Sequence, residues 1–137
     1  MEKSLAEREA EIVEEFSMYE DWMDRYQYLI EIGQELEPLD DAEKNDDSLI
    51  RGCQSQVWIV SEVRDGRIYF RGDSDAIIVK GIVGMLMSAV SGCTIEEIRG
   101  CDFGFVGEIG LREHLSPTRS NGVLAMIERI KKIASES

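Results

Sequence analysis

Gln56-Val57-Trp58-Ile59-Val60-Ser61-Glu62-Val63, with Asp65-Gly66 and then Ile68-Tyr69-Phe70, decides the class of this fold. β-branched and aromatic residues dominate both runs, and such side chains suit a pleated, half-buried surface. Asp-Gly between them is the composition of a two-residue turn whose central residues both take positive φ. The stretch therefore predicts an antiparallel hairpin whose return strand ends before Gly72-Asp73-Ser74. One hairpin is marginal in water, so a further strand or a packed helical layer must complete it.

On both sides the period changes from two to that of a helix. Upstream, Ser4-Leu5-Ala6-Glu7 has the form of a capping box. Leu5, Ile12, Val13 and Phe16 then recur at helical spacing, predicting a helix over 4–17. Asp21 opens a second helix, with Trp22, Tyr26, Leu29, Ile30, Gly33 and Leu36 along its inner stripe. Pro38 stops it, since proline disfavours helical geometry in the residue before it. The acidic, aperiodic run from Asp40 to Ser48 reads as a loop. Downstream, Ser74 or Asp75 is expected to cap a helix over 76–91 that is apolar nearly all round. Such a helix is buried in the core or buries one side against a second copy. Thr94 caps a short turn, 103–111 carries no clear period, and Ser116-Pro117 reads as a polar turn. A last helix is expected over 122–134, with Val123, Ile127 and Ile130 inward. The sum is α+β: a small antiparallel sheet packed with helices, in a single domain over 1–137.

The chain of 137 residues carries 28 acidic and 15 basic side chains, a net charge of −13. The asymmetry is local: residues 1–47 hold 17 Asp or Glu against 4 Lys or Arg, and the remainder holds 11 of each sign. That field repels phosphate backbones and anionic lipid, which argues against nucleic-acid and membrane binding. A basic protein partner is one reading of the acidic third; two well-solvated helices are the other. No apolar run reaches membrane-spanning length, and the N-terminus lacks the apolar stretch of a secretory signal. Three cysteines, Cys53, Cys93 and Cys101, without a CxxC pair fit neither a disulfide framework nor a common zinc pattern. A reducing, cytoplasmic setting follows as the default.

Chemistry is best placed at Gly52-Cys53-Gln54-Ser55-Gln56, where the acidic loop meets the first strand. Gly52 permits a sharp bend, and Gln54 and Ser55 offer neutral hydrogen-bonding groups near the sulfur. The alternative is a small buried thiol that only packs. A thiol reacts as thiolate, so activity requires a lowered pKa or activation on docking. His114, the single histidine, is either a base for Cys53 or a structural hydrogen bonder at a turn. All three cysteines with His114 or an aspartate would make a metal or cluster site, although spacings of 40 and 8 do not specify one. The glycines of 104–110 miss the common phosphate-binding fingerprints.

Three blocks, taken together, carry a resemblance. Gly52-Cys53-Gln54-Ser55-Gln56-Val57-Trp58, then Gly72-Asp73-Ser74-Asp75-Ala76 with Ile78-Val79-Lys80-Gly81, then His114-Leu115-Ser116-Pro117-x-Arg119-Ser120-x-Gly122, resemble the SufE family in order and separation. So does Tyr28-Leu29-Ile30-Glu31-Ile32-Gly33 with the proline beyond it. The resemblance covers nearly the whole chain and is weakest over 93–111. It implies an α+β fold like that of iron–sulfur scaffold proteins, and a non-enzymatic sulfur acceptor in iron–sulfur cluster assembly. Cys53 matches the cysteine that takes persulfide sulfur from a SufS-type, pyridoxal-phosphate-dependent cysteine desulfurase, stimulating it; an iron–sulfur scaffold complex receives the sulfur next. No cofactor is implied for the chain itself. Gly52, Gln54, Ser55, Asp75, His114 and Arg119 match positions that support the site or meet the partner. Asp75 is expected to cap the helix beside the Cys53 loop, and Arg119 to fix that loop or contact the desulfurase. The family is often dimeric, which suits the apolar 76–91 helix as well as core burial does.

Overall fold

The computed structural model describes residues 4–51 and 55–137. The hairpin forms as its composition dictates. β1 (Val57–Arg64) pairs antiparallel with β2 (Arg67–Ser74), from Arg64 opposite Arg67 to Val57 opposite Ser74. Asp65 and Gly66 take φ of 52° and 76°, the paired positive values that match the twist of the flanking strands. β2 continues through Ser74, beyond the expected stop before Gly72, because Gly72, Asp73 and Ser74 pair with Ile59, Trp58 and Val57. A two-residue β3 (Cys93–Thr94) adds to the other side of β2, giving the order β1-β2-β3 among the described residues.

α1 (Leu5–Ser17) and α2 (Trp22–Gln34) are the two predicted N-terminal helices. Ser4 and Asp21 cap them, accepting hydrogen bonds from Glu7 N–H at 3.2 Å and Met23 N–H at 3.0 Å. α3 (Ile77–Val90) lies between α2 and the sheet. Ile82, Val83, Met85, Leu86, Ala89 and Val90 are all buried, so this chain's own layers cover the helix that sequence reads as buried or dimeric. Two close approaches set the spacing. A Cβ at Gly81 would overlap the Leu29 carbonyl of α2, and a Cβ at Gly72 would lie 2.6 Å from Val83 Cγ1. Only glycine lets α3 settle this near to both neighbours.

The capping box at the start of α4 (Ile95–Gly100) is complete: Thr94 and Glu97 exchange side-chain-to-backbone bonds. Glu97 Oε2 also accepts the Leu5 N–H at 2.8 Å, so one carboxylate serves the first turns of two helices. The stretch 103–111, without a clear period in sequence, holds α5 (Gly104–Glu108) and the start of a second short helix, α6 (Leu111–His114). α7 (Pro117–Ser135) begins five residues before the predicted start at Gly122. Ser116 is its N-cap and Pro117 its first residue, where a missing N–H costs nothing, so the expected polar turn is the helix's first turn.

Candidate functional site

The candidate site lies where the chain joins the acidic loop to β1. Gly52, Cys53 and Gln54 lie outside the described residues; the segments on either side of them are described. Upstream, residues 48–50 run beside β1: Ile50 N–H donates to Val57 O at 2.8 Å, and Ile59 N–H to Ser48 O at 3.0 Å. Arg129 of α7 donates to Asp47 O at 3.1 Å and to Leu49 O at 3.0 Å, tying this segment to the last helix. Downstream, the Gln56 peptide is held on both sides. Its carbonyl accepts from Ser74 Oγ at 2.8 Å and from Asp75 N–H at 3.2 Å. Its N–H donates to Asp75 Oδ1 at 3.0 Å.

These contacts correct the expected role of Asp75. The N-cap of α3 is Ala76, with no side-chain cap. Asp75 instead clamps the strand that leaves the cysteine segment, and Ser74 Oγ serves that clamp while accepting Ala76 N–H at 3.3 Å.

Ser55, two residues past Cys53, lines a pocket of about 80 Å³ with Val79 and Ile82 of α3 and Thr118, Arg119, Val123 and Met126 of α7. Its lining combines the apolar side chains of Val79, Ile82, Val123 and Met126 with two hydroxyl residues, Ser55 and Thr118, and the Arg119 guanidinium. Pockets for drug-sized ligands run to about 300 Å³ or more, so this one suits a few heavy atoms only. Arg119 enters the pocket because α7 starts at Pro117; a helix beginning at Gly122 would leave it in a loop.

His114 is not among the residues lining that pocket. Its ring stacks on Trp22 with centroids 3.9 Å apart and planes at 13°. Its Nδ1 lies 3.1 Å from Gly110 O, and its carbonyl accepts from Tyr26 Oη at 2.6 Å. The histidine therefore fastens the end of α6 to α2. Cys93 and Cys101 are 1% and 8% exposed. Cys93 Sγ donates to Ala89 O at 3.4 Å, and Cys101 Sγ to Glu9 Oε1 at 3.6 Å. Burial, with the Glu9 carboxylate beside it, pushes the Cys101 thiol up to about 11, well away from thiolate at neutral pH.

Asp73 is the residue that reading the sequence missed. It is 3% exposed. Its Oδ1 lies 3.3 Å from Lys80 Nζ and accepts Ser74 N–H at 2.8 Å; its Oδ2 lies 3.3 Å from Lys44 Nζ and accepts Leu39 N–H at 3.4 Å. Burial opposes the charge, yet the Ser74 N–H and the Lys80 ammonium outweigh it and hold the carboxyl below its ordinary value. In sequence Asp73 reads as a strand exit, and nothing in its spacing from Lys44 or Lys80 announces an ion pair. Arg129 is likewise one charge among many on a polar helix face.

A family model described as "SufE: Fe-S metabolism associated domain" matches residues 10–134. The chain belongs to the SufE family. Two SufE-like proteins, both called uncharacterized, are similar to it over most of their length. That of Rhizobium meliloti is 39% identical over 129 residues, 90% of this chain and 92% of its own. That of Rhizobium etli is 39% identical over 129 residues, 90% of this chain and 87% of its own. A solution structure of a hypothetical protein from Thermus thermophilus has the same SufE-type α+β fold, with a TM-score of 0.78 over 94% of each chain at 21% identity. Among the described residues no helix is long and apolar enough to cross a membrane.

Proposed function

We propose that this SufE-family chain is a single-domain, cytoplasmic sulfur acceptor whose working residue is Cys53. A cysteine desulfurase of the SufS type carries sulfane sulfur as a persulfide on its own cysteine. The Cys53 thiolate attacks the outer sulfur of that persulfide. A new S–S bond forms, the old one breaks, and the desulfurase thiolate leaves, as in thiol–disulfide exchange. Cys53 now carries the persulfide, the desulfurase is free for another turnover, and an iron–sulfur scaffold takes the sulfur in a second exchange.

The observation that carries this reading is the convergence on the Cys53 flanks. Ser55 and Arg119 share one small pocket, while Asp75 and Ser74 hold the next peptide, so three separated sequence blocks serve one place. Exchange of this kind needs an accessible thiolate and a positioned backbone more than a base. That fits a His114 engaged with Trp22. Arg119 brings positive charge to the pocket lining, favourable to a thiolate or persulfide anion. The buried thiols of Cys93 and Cys101, each with its own acceptor, favour acceptance at Cys53 over a three-cysteine scaffold.

The test is peptide mass spectrometry after incubation with a SufS-type desulfurase and cysteine. One added sulfur atom on the Cys53 peptide, removed by reductant, is expected. Cys53→Ser should abolish it, while Cys93→Ser and Cys101→Ser retain it. Equal loss in all three variants would sink the proposal.

A further inference from the structure

The carboxylate of Asp73 stands between two parts of the molecule that sequence keeps apart. Oδ2 faces the segment after α2, through Leu39 N–H and Lys44. Oδ1 faces the candidate site: it takes the Ser74 N–H at 2.8 Å and Lys80 of α3 at 3.3 Å. Ser74 and Asp75 are the residues that hold the Gln56 peptide. The bond from Ser74 N–H fixes the peptide between residues 73 and 74, and so the direction in which the next two side chains leave β2. A buried, doubly paired carboxylate is costly to build and strongly orienting once built.

We infer that Asp73 is a positioning residue for the sulfur site: through the Ser74 peptide and Lys80 it sets the clamp on Gln56, three residues from Cys53 in the chain. The inference rests on the sulfur-acceptor reading only for what the position serves. The clamp is measurable with no desulfurase present, so failure of one does not imply failure of the other.

Asp73→Asn keeps the shape of the side chain and removes its charge. Two readouts apply to the free protein: amide hydrogen exchange at Gln56 relative to Ile82 in the core, and alkylation of the Cys53 peptide by iodoacetamide. Loss of a charge-assisted bond corresponds to about tenfold in the local opening equilibrium. Gln56 exchange should therefore rise about tenfold while Ile82 is unmoved, and Cys53 alkylation should accelerate with it. Lys80→Met, at a half-exposed side chain, should reproduce the effect because Lys80 shares Oδ1 with the Ser74 N–H. Lys44→Met, on the Oδ2 side, should leave Gln56 exchange unchanged. Three results overturn the inference: Gln56 exchange rising only in step with Ile82, equal effects from the two lysine variants, or faster Gln56 exchange with unaltered Cys53 alkylation. If Asp73→Asn does not fold, the lysine pair decides alone.

Discussion

The two ends of α3 are built on different principles. Its middle and C-terminal end are fixed by shape. Gly81 meets the Leu29 carbonyl, Val83 sits over Gly72, and Leu86, Ala89 and Val90 are fully buried. Its N-terminal end is fixed by polar bonds. There Ile77 is 68% exposed, and Asp73, Ser74 and Asp75 bind Lys80 and the Gln56 peptide. A close-packed interface resists any change of volume, because packed interiors respond to single methylene groups. A hydrogen-bonded clamp on an exposed peptide is worth far less, and opens locally without unfolding the rest. Stability and the hold on the Gln56 peptide are thus served by separate sets of residues around one helix.

The most severe test of that separation is Gly81→Ala. The added methyl has no room against the Leu29 carbonyl, so a loss of about 3 kcal/mol in denaturant unfolding is expected, the upper part of the range for overpacking. A variant as stable as the parent would show that the α2–α3 spacing is not set by this contact. Asp75→Ala should do the opposite. It removes the acceptor for Gln56 N–H, at a cost of about 1 kcal/mol in global stability. Sulfur acceptance at Cys53 should fall roughly tenfold, because small misplacements of a reacting group are expensive. Unchanged acceptance in single-turnover mass spectrometry would dissolve the distinction between the two ends.

The smallest effect expected is at Glu97, which lies in neither region and joins the starts of α1 and α4. Bonds from the Leu5 and Thr94 N–H groups hold its carboxyl below the ordinary value. Its folded pKa is depressed, so its contribution is complete above the ordinary carboxylate range. That contribution disappears as pH falls through the folded pKa. Glu97→Gln should cost about 1 kcal/mol at neutral pH, and the cost should shrink on acidification. Thermal melts at neutral pH and at pH well below the carboxylate range check the sign; a cost that grows in acid would contradict it.

Much of the fold was legible because it depends on local chemistry. Asp65-Gly66 specifies its turn, Ser4, Asp21 and Thr94 specify helix starts, and the apolar residues on nearly every side of α3 specify burial. The start of α7 was written in Ser116-Pro117 and reads as a turn only if proline is taken as a breaker, not as a first helical residue. Of the proposed site, the sequence blocks named Ser55, Asp75 and Arg119, and the structure brings Ser55 and Arg119 to one pocket and Asp75 to the adjoining Gln56 peptide. Their separate duties were not legible. Asp75 as a clamp, His114 as a stacking partner for Trp22 and Asp73 as a paired buried charge each depend on a partner far away in sequence.

By itself the sequence determined the class of fold and the identity of nearly every element, because turns, caps and apolar periods act over a few residues. Only the tertiary structure decided which face of α3 is filled by this chain's own layers, how closely α2 can approach it, and which carboxylate meets which lysine. Those are relations between segments tens of residues apart. No local pattern encodes them, since a charge or a glycine is the same letter whether it faces water or a neighbouring backbone.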